Sequence, residues 1–181
     1  MTSWGHDPLL HSQDSGSTLL HQLFVREMRC LYWTALSLVD QYKQWEEIAE
    51  ARELKRALAV HNHQTKQHVN RIESVLQHLD LPLAFEESVG MKGLIKEARR
   101  TMSETKEKSA QRDAALILCW QRIEHYEIAT YGGLVTFAET LQYHLIADIL
   151  RETLKEEKEM DEQLSAIAAR YINTGALQET V

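Results

Sequence analysis

The chain has 181 residues, 44% of them hydrophobic and 26% charged, which is enough for one domain with a buried core. Its formal net charge of −7 argues against general nucleic-acid binding, which needs a positive surface to displace counterions. No run of about 18 apolar residues is present to span a membrane. Residues 1–17 lack the basic-then-apolar order of a secretory signal, and Cys30 and Cys119, outside any CxxC spacing, fit reduced thiols in a cytoplasm.

Residues 1–16 are polar, include His6 and His11, and are expected to form a flexible tail. A helical stripe then runs through Leu20, Phe24, Glu27, Leu31 and Leu38, and a second through Leu54, Leu58, His61, Thr65, His68, Ile72, Val75 and Leu79. One helix across both would far exceed the usual globular length, so a turn is expected near Ala49–Arg52, although no glycine or proline marks it. Pro82 ends the second helix, and Ser88–Lys106 reads as a shorter helix inside a long connection. A third long helix is expected over Arg112–Glu139, with Leu116, Trp120, Ile123, Glu127, Tyr131 and Leu134 on its stripe. After a turn at Thr140–His144, the fourth runs to about Ile172, leaving 173–181 as a tail and 17–172 as the domain. The alternating pattern of strands is missing. The expected fold is all-α, two helical hairpins joined by a long crossover into a four-helix bundle.

Several acids fall on the apolar faces. Glu124 shares its face with Ile117, Trp120, Ile128 and Tyr131, and Glu127 is surrounded by Leu116, Ile123 and Leu134. Glu157 lies between Leu150, Leu154 and Leu164, with Asp161 one turn on, and Glu27 lies among Leu20, Phe24 and Leu31. A buried, unpaired carboxylate is expensive, so a cation, a positive side chain or a proton must compensate. A hairpin turn near Leu141 sets Glu157 level with Tyr126, hence across from Glu124 and Glu127. Di-metal carboxylate bundles place inward acids on facing helices in this way, and His61 and His68 on the inward stripe could complete such a site. A single inward Glu is more often a paired structural residue; several at one level, with two histidines, bring the metal reading level with the structural one. His63 and His125 lie off the stripes and read as surface residues. The run Lys155–Glu159 is a charged outer face from which only Glu157 turns inward, and Trp120 and Tyr131 read as core. Gly132 and Gly133 suggest a close helix approach or a kink. Nucleotide, hydrolase, zinc-protease and calcium-loop motifs are all missing.

Asp113-Ala-Ala-Leu-Ile, Ile123-Glu-His-Tyr-Glu-Ile-Ala-Thr-Tyr-Gly132, Gly90-Met-Lys-Gly-Leu-Ile-Lys-Glu97 and Glu152-Thr-Leu-Lys-Glu-Glu-Lys158 followed by Asp161 resemble the YciF-like stress proteins of bacteria, a ferritin-like group. The resemblance spans Leu20–Ala169 and is most specific over Gly90–Leu164. It implies a ferritin-like bundle with a long crossover, a homodimer and a dinuclear metal centre. The chain departs from the family where Tyr32-Trp-Thr-Ala35 replaces Tyr-x-Ala-Glu, and where His63 and Gln64 stand for two glutamates. Glu27 cannot replace the acid missing at Ala35, since eight residues of helix span about 12 Å. Glu124, Glu127, Glu157 and Asp161 therefore carry over without their partners on the first two helices.

Two functions follow. In one, His61 and His68 join Glu124 and Glu157 around one or two ions of iron, manganese or zinc, with Glu127 or Asp161 bridging or behind. Oxygen or peroxide chemistry would then need an open coordination position, and no residue singles out a substrate. In the other, a metal-free dimer serves as a structural or interaction module, its acids neutralised by imidazolium or by protons. Nothing points to a storage cage.

Overall fold

A computed structural model describes residues 18–180, so the expected tail over 1–16 lies outside the described residues. Thr18 caps the first helix, α1 (Leu19–Ile48), by accepting from the His21 N–H. Phe24, Met28, Leu31, Ala35, Leu38, Tyr42 and Trp45 recur at three- and four-residue spacing and form its buried stripe. Glu27 sits at the margin of that stripe rather than in it: Phe24, Met28 and Leu31 take the inward directions, and Glu27 stays a third exposed and pairs with Arg26 at 2.7 Å.

The turn before α2 (Arg52–His78) falls where helix length required it, and a distant residue explains the missing local signal. The Asp113 carboxylate accepts from the backbone N–H groups of Glu50 at 2.9 Å and Ala51 at 2.7 Å, so the turn is fixed by tertiary contact instead of glycine or proline. The crossover over 79–109 carries α3 (Val89–Glu104), capped by Ser88 and buried through Met91, Ile95, Ala98 and Met102. Ser109 caps α4 (Ala110–Thr140), and a tight turn with Gln142 at φ 62° leads into α5 (His144–Ile167).

The chain stays helical beyond the expected end at Ile172, through a π-helical turn over Ala168–Ile172 into α6 (Asn173–Gln178). Glu179 then returns to α4 and accepts from the N–H groups of Ala110 and Gln111 at 2.8 and 2.9 Å, satisfying donors that a helix start leaves open. Gly175 allows this approach, since a Cβ there would lie 3.3 Å from that of Ala110. Gly132 and Gly133 face open space within an unbroken α4, so neither serves a close approach inside the chain.

Among the described residues there is no strand. The helices form a four-helix bundle of the ferritin-like kind, in which α1 pairs with α2, α4 with α5, the pairs meet through α1–α4 and α2–α5, and α3 packs on α4. Its apolar interior is in two pieces. One, around Tyr42, Trp45, Leu54, Trp120 and Leu164, fills one end; the other, around Phe24, Leu31, Ile72, Leu134 and Leu150, fills the opposite end. Glu124, Glu127, Glu157, His61 and His68 belong to neither.

Candidate metal centre

Four of the sequence-selected residues meet in the layer between the two apolar clusters. His61 Nε2 on α2 lies 3.2 Å from Glu124 Oε1 on α4 and 3.5 Å from Glu157 Oε2 on α5. His68 Nδ1 lies 3.0 Å from Glu157 Oε1. One donor atom from each of His61, Glu124 and Glu157 falls within 4.8 Å of the other two, and all three side chains are sealed from solvent. Helical spacing accounts for the convergence: His61 and His68 are separated by two turns of one face, and the α4–α5 hairpin brings Glu157 opposite Glu124.

Two aromatic groups hold Glu124. The Trp120 indole N–H, one turn earlier on α4, donates to Oε1, and the Tyr42 hydroxyl on α1 donates to the same oxygen at 3.3 Å. The Tyr42 and Trp120 rings also pack on the His61 imidazole, with centroids 4.9 and 5.4 Å away. These contacts fix the first ligand candidates from behind, as outer partners of metal ligands do.

The donor set fits a cation. Both His61 nitrogens, both Glu157 oxygens and Glu124 Oε2 are buried without an aligned hydrogen bond, although the histidine and carboxylate atoms approach within contact distance. Unsatisfied buried polar atoms are costly, and mixed imidazole and carboxylate donors suit iron, manganese or zinc. Without a cation, charge is balanced by protons. Burial, reinforced by the Glu157 and Glu124 charges, pushes the Glu127 carboxyl well above its ordinary range. Burial and the Glu124 charge do the same to Glu157. Burial opposes a charge on His61, yet the adjacent Glu124 and Glu157 carboxylates raise it overall. Burial likewise opposes ionised Glu124, but His61 outweighs it and the carboxyl is lowered. In the absence of a cation, burial and the neighbouring charges thus favour a proton on Glu127, Glu157 and His61 and disfavour one on Glu124.

Glu127 is buried next to this group but stands outside the converging triad. Asp161 is directed elsewhere: it accepts from Gln121 Nε2 at 3.0 Å and lies 3.5 Å from His125 Nε2 near the surface. Four residues carry it about 6 Å along the helix from Glu157, and Met160 and Leu164 occupy the inward directions there. Asp161 therefore stands outside the converging triad, as Glu127 does. At the position where the resemblance expects a helix-one acid, Ala35 is fully buried in the apolar cluster that also holds Tyr131, whose hydroxyl has no partner. Gln64 is half-buried with its side-chain oxygen unpartnered. His63 and His125 are exposed, and His21 pairs with the Tyr143 hydroxyl at 2.9 Å.

Three residues escaped the sequence reading. Glu156, assigned to the charged outer face, accepts from His68 Nε2 at 2.7 Å and from Arg71 at 2.6 Å. Burial opposes its charge, but these bonds hold its carboxyl down at about 2. Arg71 and Tyr42 contribute across helix interfaces, which no local spacing reports. The shared face of Trp120 and Glu124, one turn apart, already carried the signal for the bond between them.

The fold and this layer define a class: an all-α bundle with a buried histidine–carboxylate centre between its helix pairs. The chain belongs to the family described as a domain of unknown function, DUF892, whose profile matches residues 19–177. It is 35% identical over 158 residues to Protein YciF of Escherichia coli (strain K12), covering 87% of this chain and 95% of that protein. The crystal structure of the E. coli stress protein YciF superimposes with a TM-score of 0.81 at 34% identity, over 86% of this chain and 98% of that one. That of YcfI from Rhodopseudomonas palustris gives 0.79 at 30%, over 82% and 94%. A Xanthomonas campestris protein, 21% identical over 86% of this chain and 97% of its own with a TM-score of 0.67, shares the fold. The YciF-like resemblance read from the residues is thereby borne out. Among the described residues, no helix is long and apolar enough to cross a membrane.

Proposed function

We propose that this chain is a stress-associated, metal-binding bundle in which His61, Glu124 and Glu157 hold an iron, manganese or zinc ion. His68 and Glu127 complete the surrounding layer. The observation that carries this reading is the convergence of three sealed donor groups whose side-chain nitrogens and oxygens, Glu124 Oε1 excepted, lack aligned hydrogen bonds. An ion would replace the protons that otherwise neutralise Glu127 and Glu157, and its binding would release them. The chain's own part is to present the donors: Tyr42 and Trp120 orient Glu124, His68 lies against Glu157, and the apolar clusters keep bulk water out. A bound iron or manganese ion with an open position would supply oxygen or peroxide chemistry. The stress association rests on the E. coli relative, and a homodimer in the cytoplasm is part of the same reading.

Elemental analysis of untagged protein equilibrated with each metal is the test. About one or two ions per chain, lost in Glu124→Ala and Glu157→Ala, is the expected result; metal no higher than in those variants would overturn it.

A metal-free module is the second reading. It is favoured by Ala35 and Gln64 standing where the family has acids, and by the His61–Glu124 pair, which balances charge unaided. The R. palustris relative carries a provisional description as a structural protein. A sedimenting dimer with no bound metal would be its signature.

A further inference from the structure

Any ion that reaches the cluster must cross a wall, because His61, His68, Glu124 and Glu157 are at most 1% exposed. The apolar clusters close the layer at both ends of the bundle, and bare charge does not cross packed hydrocarbon. A continuous run of polar side chains joins the cluster to solvent along the seam between α2 and α5. It passes from Glu157 to His68 at 3.0 Å, from His68 to Glu156 at 2.7 Å and from Glu156 to Arg71 at 2.6 Å. Arg71 then reaches Glu152 at 2.9 Å, a side chain 63% exposed.

The Arg71 guanidinium therefore ties together the carboxylates along this run. It also donates to Thr153 at 3.1 Å, so one side chain of α2 grips two successive turns of α5. Glu152 and Glu156 are the groups that an incoming cation would meet first, and both are engaged by the guanidinium.

We propose that the α2–α5 seam is the route by which a divalent cation enters the cluster, with Glu152 and Glu156 as its outer carboxylates and Arg71 as the bolt that closes it. The proposal rests on the metal-binding reading above and adds how the site is reached and what limits its filling. Charge-assisted, forked hydrogen bonds are among the stronger ones, so release of Arg71 is the slow step. Once it is released, Glu156 is free to take the ion and the His68 ring can turn to admit it to Glu157.

Cobalt(II) alone, followed by its visible absorption after rapid mixing with the full chain, reads the uptake rate. Arg71→Met keeps the aliphatic stem and removes the fork; uptake is expected to speed up on the order of tenfold, with the same final ions per chain and the same spectrum. Arg71→Lys, which keeps the charge without the fork, is expected between the two and serves if the first variant does not fold. Arg122→Met breaks a surface pair with Glu97 on the α3–α4 side and is expected to leave the rate unchanged. Equal or slower uptake in both Arg71 variants, or equal acceleration by Arg122→Met, would overturn the route. Failure of the parent protein to bind cobalt would remove the metal reading itself, an outcome distinguishable from a failed gate.

Discussion

The Tyr42 hydroxyl donates to Glu124 Oε1 at 3.3 Å, giving α1 a place in a cluster to which it contributes no charge. Tyr42→Phe removes this bond without changing the packing shape. It is expected to weaken metal affinity by about tenfold, as loss of an outer hydrogen bond does, and to cost about 1 kcal/mol of stability. Competition with a chromogenic chelator measures the first and urea unfolding the second. Unchanged affinity would show that Trp120 alone orients the carboxylate.

Metal-free protein is expected to lose stability as pH rises above about 4.5, the ordinary value of a glutamate carboxyl. Glu127 and Glu157 keep their protons well above the ordinary 4.5, through burial and neighbouring carboxylates, and His61 keeps its proton above 6.5. The folded state then binds more protons than the unfolded chain in this interval, so rising pH favours unfolding. Glu156 acts oppositely: held at about 2, it contributes stability above 4.5 that is lost as pH falls towards 2. A bound ion replaces the protons and flattens the alkaline decline. Urea midpoints with chelator and with excess manganese follow both limbs; a chelated protein that gains stability on going alkaline contradicts the assigned protonation.

Asp113→Ala leaves the N–H groups of Glu50 and Ala51 without their carboxylate. A cost of about 2 kcal/mol is expected, lowering the melting temperature by roughly 4–8 °C. Ion stoichiometry should not change, because the turn lies away from the triad. Calorimetry and elemental analysis on the same preparation separate the two effects.

Ala35→Glu places a carboxyl at a fully buried position of α1. The metal-free variant is expected to be destabilised by about 2–4 kcal/mol through desolvation and overpacking. Added manganese should then raise its melting temperature more than it raises that of the parent. An equal shift in both would place Ala35 out of reach of the centre.

Helix content, the crossover and the α4–α5 register were legible because apolar spacing and hairpin length fix them together. Glu124 and Glu157 were legible for the same reason: an acid within an apolar stripe is conspicuous. Asp161 lies outside the triad because one helical turn preserves roughly the direction of a side chain but shifts its height. Glu156 was missed because its neighbours in sequence are charged, while its partners, His68 and Arg71, lie on another helix. The α1–α2 turn had no local mark, since its hydrogen bonds come from Asp113.

The gap between the two apolar clusters bears on the cooperativity of unfolding. Close-packed hydrocarbon transmits the loss of one contact to the next; at the waist of this bundle, imidazole and carboxyl groups interrupt that transmission. Stripped of cations, the ends are joined there by the continuous long helices and a few proton-dependent contacts, and amide exchange at one end should run ahead of the other. A cation spanning α2, α4 and α5 would weld the halves into a single melting unit, so that occupancy sets not only how stable the molecule is but how many pieces it comes apart in.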